Sequence, residues 1–201
     1  SGVHLGGYGR DLEPRTSLPE LLDDCLDRFP ELRIRLSSIH PNEVTPELLR
    51  LFAEKRNLRP HLHISLQSGS STVLKRMRRP YRADRAWKAI SDAAAAAPAF
   101  GIGADLIVGF PGETDAEFEE TRRMVDELPF SYLHVFRFSP RPGTVAATME
   151  GAVHPETISE RGAILRELAA TKQRQCGEEM SGSVHEAIVE SASQREGWRE
   201  A

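Results

Sequence analysis

Residues 104–114 read ADLIVGFPGET. The stretch begins as a buried strand and runs without a spacer into Gly109-Phe110-Pro111-Gly112-Glu113. A chain that only had to turn needs less than two glycines, a proline and a carboxylate. The glycines bare the backbone where the strand ends, and Glu113 puts a charge beside it. In α/β folds the carboxyl ends of strands are where ligands bind. Thr114 then caps a helix expected over 115–128, with acidic residues in its first turn where the helix dipole favours them.

The same strand-then-helix unit recurs on both sides. Upstream, 17–29 (SLPELLDDCLDRF) has leucines at helical spacing behind a Ser17 cap, and 32–39 (LRIRLSSI) alternates as a strand does. A Thr-Pro-Glu cap opens a helix over 45–56, 61–66 (HLHISL) is a strand, and helices follow over 71–79 and 83–96. Downstream, 132–139 (YLHVFRFS) is a strand and 155–175 a long helix. Alternation of this kind specifies an α/β fold with a parallel sheet, either a barrel or a doubly wound fold. Residues 177–182 read as a linker and 183–191 as a further strand, so the expected division is 1–176 and 177–201.

Every expected strand ends in polar or glycine-rich residues: Ser37, Ser38 and His40; Gln67 to Ser71; Gly109 to Glu113; Arg137, Ser139, Arg141, Gly143 and Thr144. Gly6, Gly7 and Gly9 add a flexible segment near the start. In a parallel fold these ends share one side and form one hydrogen-bonding mouth. The basic run 74–85 (LKRMRRPYRADR) follows the Gln67–Ser71 end directly, which suits a carboxylate or phosphate grip and a wider RNA-facing patch.

Other chemistries lack their signatures. There is no phosphate-binding P-loop, no dinucleotide glycine fingerprint and no nucleophile elbow. None of the four strand ends carries the lysine that a barrel lyase or aldolase would want. His61 and His63 share a strand face, but no carboxylate or third histidine lies at useful spacing in sequence, so a packed pair and no metal ligands are expected. The 201 residues carry a net charge of −4 and two distant cysteines, Cys25 and Cys176. Those two thiols cannot by themselves hold an iron–sulfur cluster. No apolar run reaches membrane length and the first residues show no leader pattern, so a reduced, cytoplasmic protein without a membrane partner is expected.

HISLQSGSSTVLKRMRRPY (63–81), DLIVGFPGETDAEFEET (105–121) and HVFRFSPRPGTVAATM (134–149) together resemble the radical S-adenosylmethionine methylthiotransferases. GVHLGGYGRDL (2–12) resembles the branch that acts on threonylcarbamoyladenosine in tRNA. The resemblance spans Gly2 to about Gln175. It implies a partial (βα)6 barrel, incomplete at its N-terminal side, and the start of a small TRAM-like RNA-binding β domain in 177–201. It also implies S-adenosylmethionine cleaved to a 5′-deoxyadenosyl radical at a 4Fe-4S cluster, and a second 4Fe-4S cluster supplying sulfur. The product would be a 2-methylthio group on the modified adenosine next to the tRNA anticodon.

Carried over, the backbone of His4, Leu5 and Gly6 would meet the methionine amino group. Gln67 and Ser68 would lie on the ribose side, Ser37 would belong to the same cofactor site, and Arg79 would take the carboxylate. Ile107 and Gly109 would pass the adenine, with Glu113 fixing the loop and Phe138 and Arg141 closing the mouth. The family's Cys-x-x-x-Cys-x-x-Cys motif does not occur in these residues. The cluster ligands are therefore expected outside this chain, which by itself should be inactive and carries no expected catalytic residue. Methylthiolation of isopentenyladenosine or of a ribosomal protein is the alternative within the family, and a non-catalytic nucleotide- or RNA-binding domain the alternative outside it.

Overall fold

A computed structural model describes residues 4–184 together with the short strands at 194–195 and 198–199. In chain order the elements are α1 (Leu18–Arg28), β1 (Ser38–Ile39), α2 (Pro46–Glu54), β2 (His61–Gln67), α3 (Ser71–Arg76) and α4 (Ala83–Ala96). There follow β3 (Gly101–Val108), α5 (Asp115–Glu127), β4 (Tyr132–Arg137), α6 (Pro155–Met180), β5 (Gln194–Arg195) and β6 (Trp198–Arg199). Ser17, Thr45 and Thr114 cap α1, α2 and α5 by accepting a backbone N–H with their hydroxyls, and Pro19 and Pro46 sit in first turns, as the sequence signals require.

β1 to β4 form one parallel sheet in sequential order. Each strand is added on the same side of the last. Right-handed crossovers then place all the connecting helices on one face. This is the winding of a barrel segment; a doubly wound sheet reverses its order and carries helices on both faces. Leu62, Ile64 and Leu66 of β2 and Ile102, Ala104, Leu106 and Val108 of β3 point to the helices and are buried. The core they join takes Leu22 and Leu26 from α1, Leu48 and Leu51 from α2, Ile90 from α4, Val125 from α5 and Leu165 from α6. His61, His63, Asp105, Ile107, Tyr132, His134 and Phe136 alternate with these positions and lie on the opposite face, turned from the helices.

Two boundaries differ most from the sequence expectation. Only Ser38 and Ile39 of the expected strand 32–39 pair with β2. Ile34 instead exchanges backbone hydrogen bonds with Asn57 and Arg59 in the loop before β2, so the ladder starts late. α6 continues through Gly177 to Met180, so the expected linker is helical as far as 180 and the turn comes at Gly182, with φ +82°. The strand expected over 183–191 lies almost wholly outside the described residues, which include only the antiparallel pair β5–β6 beyond it.

The turn from β3 to α5 is fastened from below. Gly109 has φ +77°, which glycine adopts without strain, and a Cβ there would stand 2.4 Å from Ile158 of α6. Its N–H donates to the Glu113 carboxylate at 2.8 Å. Arg161 of α6 donates to the same carboxylate oxygen at 2.8 Å and to the Glu113 carbonyl at 3.0 Å. Its second nitrogen reaches Asp115 at 2.6 Å, and its guanidinium lies 5.3 Å from the Phe118 ring centre. The Glu113 side chain is 1% exposed and that of Arg161 6%. Glu113 therefore turns into the fold and holds the loop rather than standing in the mouth. On the outer side Arg76 donates two bonds to Glu117 and one to the Gly112 carbonyl, tying α3 to the same turn.

Three outcomes follow for stability. Leu106→Ala is expected to cost about 2–5 kcal/mol in urea unfolding, as a large cavity in a packed core does, while Phe136→Ala, on the open face, costs under about 1 kcal/mol. Equal losses would mean that both faces are packed. Arg161→Leu strands the Glu113 charge and is expected to cost about 3–5 kcal/mol. Burial, outweighing the pull of the Gly109 N–H and Arg161, pushes the Glu113 carboxyl above its ordinary value of 4.5. A raised carboxyl stabilises the fold most below that ordinary value and loses its contribution as pH rises through the raised one. Wild type should thus lose stability relative to Glu113→Gln as pH rises above 4.5. A difference that grows with pH in wild type's favour would refute the assignment.

Candidate functional site

At the carboxyl ends of β3 and β4 a cleft of about 640 Å³ opens between the turn after α3 and residues 136–149. Arg79, Ile107, Phe138 and Arg141, from three separate stretches of the sequence, all line it. Phe110 and Phe138 meet edge to face at 5.3 Å and form an aromatic wall, which Phe136, 52% exposed, extends. Five arginines and no acidic residue line the cleft: Arg76, Arg78, Arg79, Arg137 and Arg141. Arg76 is committed to Glu117. Arg79 and Arg141 form no ion pair among the described residues and keep their donor forks for a ligand. Flat apolar surface beside unpaired guanidinium groups suits an aromatic base joined to an anionic group.

The remaining expected residues go elsewhere. Gln67 ends β2 with φ +68° at a register shift, and its side chain is buried. Ser68 is fully buried, hydrogen-bonded to the Thr121 hydroxyl of α5 at 3.2 Å and accepting the Ser70 N–H at 3.1 Å. It braces the loop that carries α3. Gly109 and Glu113 belong to the inner fastening described above. Ser37 is exposed at the rim of a separate cavity on the open sheet face.

Leu5 and Gly6 open a short 3-10 turn, Leu5–Gly7, behind His4 and beside Glu43. The His4 ring bonds the Glu43 carboxylate, the other oxygen of which accepts the His40 N–H at 3.0 Å. A Cβ on Gly6 would fall 2.2 Å from that carboxyl carbon, so only glycine lets the segment pass so close. Leu5 packs against the core. The His40 ring lies between those of His4 and Tyr81, tilted to both, at 4.8 and 5.9 Å, and burial pulls its pKa below the ordinary 6.5. The carboxylate of this corner thus comes from Glu43, three residues after His40.

Two contributors escaped the sequence reading. Val145, Ala146 and Met149 line the cleft from a 3-10 turn after Thr144, a segment too short for any periodic signal. Arg161 lies 48 residues from Glu113 and on an ordinary helical pattern, so nothing local marks it.

On the open face Asp105 faces both His63 and His134, and Tyr132 touches His61 and His63. Burial, and then the positive charge of Arg35, push His61 down to about 4, so it is neutral near pH 7.

Residues 5–125 match the Radical SAM superfamily, more than half of the chain. Threonylcarbamoyladenosine tRNA methylthiotransferase MtaB of Thermotoga maritima is 46% identical over 84% of this chain and 38% of its own length. The MtaB enzyme of Bacillus subtilis is 39% identical over 96% of this chain and 43% of its own length. The tRNA-2-methylthio-N(6)-dimethylallyladenosine synthase of Streptomyces griseus is 43% identical over 80% and 32%. The chain therefore spans well under half the length of these relatives. Among solved structures, coproporphyrinogen III oxidase (HemN) from Escherichia coli, described as a radical SAM enzyme, superposes with a TM-score of 0.59 at 20% identity, over 79% of this chain and 37% of that one. That likeness bears on the fold alone. The superfamily implies S-adenosylmethionine and an iron–sulfur cluster. Cys25 stands on α1 and Cys176 on α6, and neither lines the cleft, so no set of residues here can ligate a cluster. By its matched span and its barrel-type sheet, this chain belongs to the Radical SAM superfamily.

Proposed function

We propose that this chain is the substrate-side barrel segment of a tRNA methylthiotransferase and that its cleft binds S-adenosylmethionine. The observation that carries the reading is the convergence of Arg79, Ile107, Phe138 and Arg141 on one basic, aromatic-walled cleft at the strand ends. S-adenosylmethionine offers a carboxylate, a ribose and a flat base, and the cleft offers a guanidinium fork and apolar walls to match. Arg79 takes the carboxylate, Ile107 and Phe138 enclose the adenine, and Arg141 closes the rim. The ligand's chemistry when bound is radical generation at a cluster that no residue of this chain ligates. The part played by these residues is to bind, orient and keep water from the ligand. Phe136 and Arg137, on the exposed side, suit a substrate base and its phosphate.

The substrate we assign is threonylcarbamoyladenosine beside the tRNA anticodon. It rests on the two MtaB relatives, one at 46% identity and the other aligned over 96% of the chain. The Streptomyces relatives, at 43% for the one named above, favour dimethylallyladenosine as the second reading.

Binding and product analysis test the two levels separately. Arg79→Ala should weaken S-adenosylmethionine binding by about 10- to 100-fold, the worth of a charge-assisted hydrogen bond, while Arg56→Ala outside the cleft leaves it unchanged. Binding indifferent to Arg79 would remove the assignment of the cleft. Nucleoside mass spectrometry of tRNA from a deletion strain should show the methylthio group missing from threonylcarbamoyladenosine. Its loss from dimethylallyladenosine alone would select the second reading, and loss from neither would refute both.

A further inference from the structure

His61 and His63 have no third partner within reach in sequence, but the sheet supplies two. Asp105 of β3 pairs directly with His134 of β4, and His63 of β2 pairs with Gly103, two residues before Asp105. All three side chains emerge on the face turned from the helices. The Nε2 of His63 stands 3.0 Å from Asp105 Oδ1, and the Nδ1 of His134 stands 3.1 Å from the same oxygen. The three donor atoms lie within 4.8 Å of one another. Two ligands held about 2.0–2.1 Å from one metal ion are about 3.0–3.4 Å apart, so each histidine already stands at ligand spacing from the carboxylate.

The surroundings aim these atoms. Gly103 has no side chain, and a Cβ there would collide with the Tyr132 ring at 2.1 Å. The tyrosine of β4 therefore lies across β3 and reaches β2, its hydroxyl 3.1 Å from His63 Nδ1 and 3.0 Å from His61 Nε2. Arg35 holds His61 Nε2 at 2.8 Å, and since arginine only donates, that nitrogen accepts. The Tyr132 hydroxyl has one hydrogen for two histidine nitrogens. If His63 carries its single hydrogen on Nε2, toward Asp105, one of the two tyrosine contacts holds no hydrogen. If it carries that hydrogen on Nδ1, both contacts are bridged, with Tyr132 donating to His61. His63 Nε2 then presents a lone pair to Asp105, which a metal ion between them, or a further proton on the ring or the carboxyl, would satisfy.

We infer that His63, Asp105 and His134 form a binding site for a divalent transition metal ion of the zinc class, with Tyr132 as the residue that orients His63. Two imidazoles and one carboxylate are the donor set for such an ion, not for magnesium or calcium, which take oxygen. A hydrogen bond to the far nitrogen of a ligating histidine is how metal sites fix that ring. The site opens into a cavity of about 590 Å³ rimmed by Ser37, Ser38 and Arg35, which gives the ion an entry path and room for further ligands.

The test is metal binding by the chelator-treated 201-residue chain, with Zn²⁺ followed by calorimetry and Co²⁺ by its visible absorption. One Zn²⁺ per chain is expected, with a Co²⁺ spectrum of low coordination number. Asp105→Asn and His63→Ala should each abolish saturable binding. Tyr132→Phe, which keeps the ring but loses the hydroxyl, should weaken it about 10- to 100-fold. Glu43→Gln, in the other histidine–carboxylate corner, should change nothing, and circular dichroism checks that each variant is folded. The inference is overturned if neither ion binds, or if binding survives Asp105→Asn. It is equally overturned if histidine ¹⁵N spectra in the presence of Zn²⁺ show His63 with a hydrogen on both nitrogens, a proton standing where the metal should.

Discussion

The buried pair of Glu113 and Arg161 is the constraint on which the geometry of the cleft depends. A carboxylate with 1% exposure is tolerable only if its charge is met, and Arg161 meets it from a helix 48 residues away. Because the same carboxylate takes the Gly109 N–H, the end of β3, the start of α5 and the flank of α6 are fixed together. The loop between them can then present Phe110 to the cleft with Phe138 against it. The lock lies behind the site, so binding residues on the other side of the loop need not also hold the fold.

The sheet's winding decides what each face is for. With all helices on one side, that side takes the leucines, isoleucines and valines, and the other is free for polar groups. Nature fills that second face here with histidines, a tyrosine and an aspartate rather than an apolar layer. These groups meet one another across three strands, and Tyr132 reaches β2 because Gly103 leaves space for it to cross β3. Above this layer, Ile107 and Phe136 mark the change to the apolar wall of the cleft.

The cleft itself is assembled from pieces that share a position along the sheet rather than along the chain. Its positive charge is local: the chain as a whole carries −4, yet five arginines and no acid face this one opening. Low dielectric walls concentrate such a field, which favours an anionic group over a neutral one of the same shape.

The sequence by itself determined the local structure and the side of the sheet that carries the cleft. Caps at Ser17, Thr45 and Thr114 and the apolar periods of the helices are written in neighbouring residues, so they survive being read one segment at a time. Strand ends are marked by glycines and polar residues, which point to one shared mouth, while Arg79, Ile107, Phe138 and Arg141 are named through the resemblance of their motifs to the methylthiotransferases. The tertiary structure alone decided which polar residue lines the cleft and which turns into the fold. Ser68 and Glu113 look like mouth residues in sequence, yet their buried partners are Thr121 and Arg161, and those pairings are set by helix packing. It also brought Asp105 and His134 to His63, since residues on adjacent strands meet through register, which no spacing along the chain records.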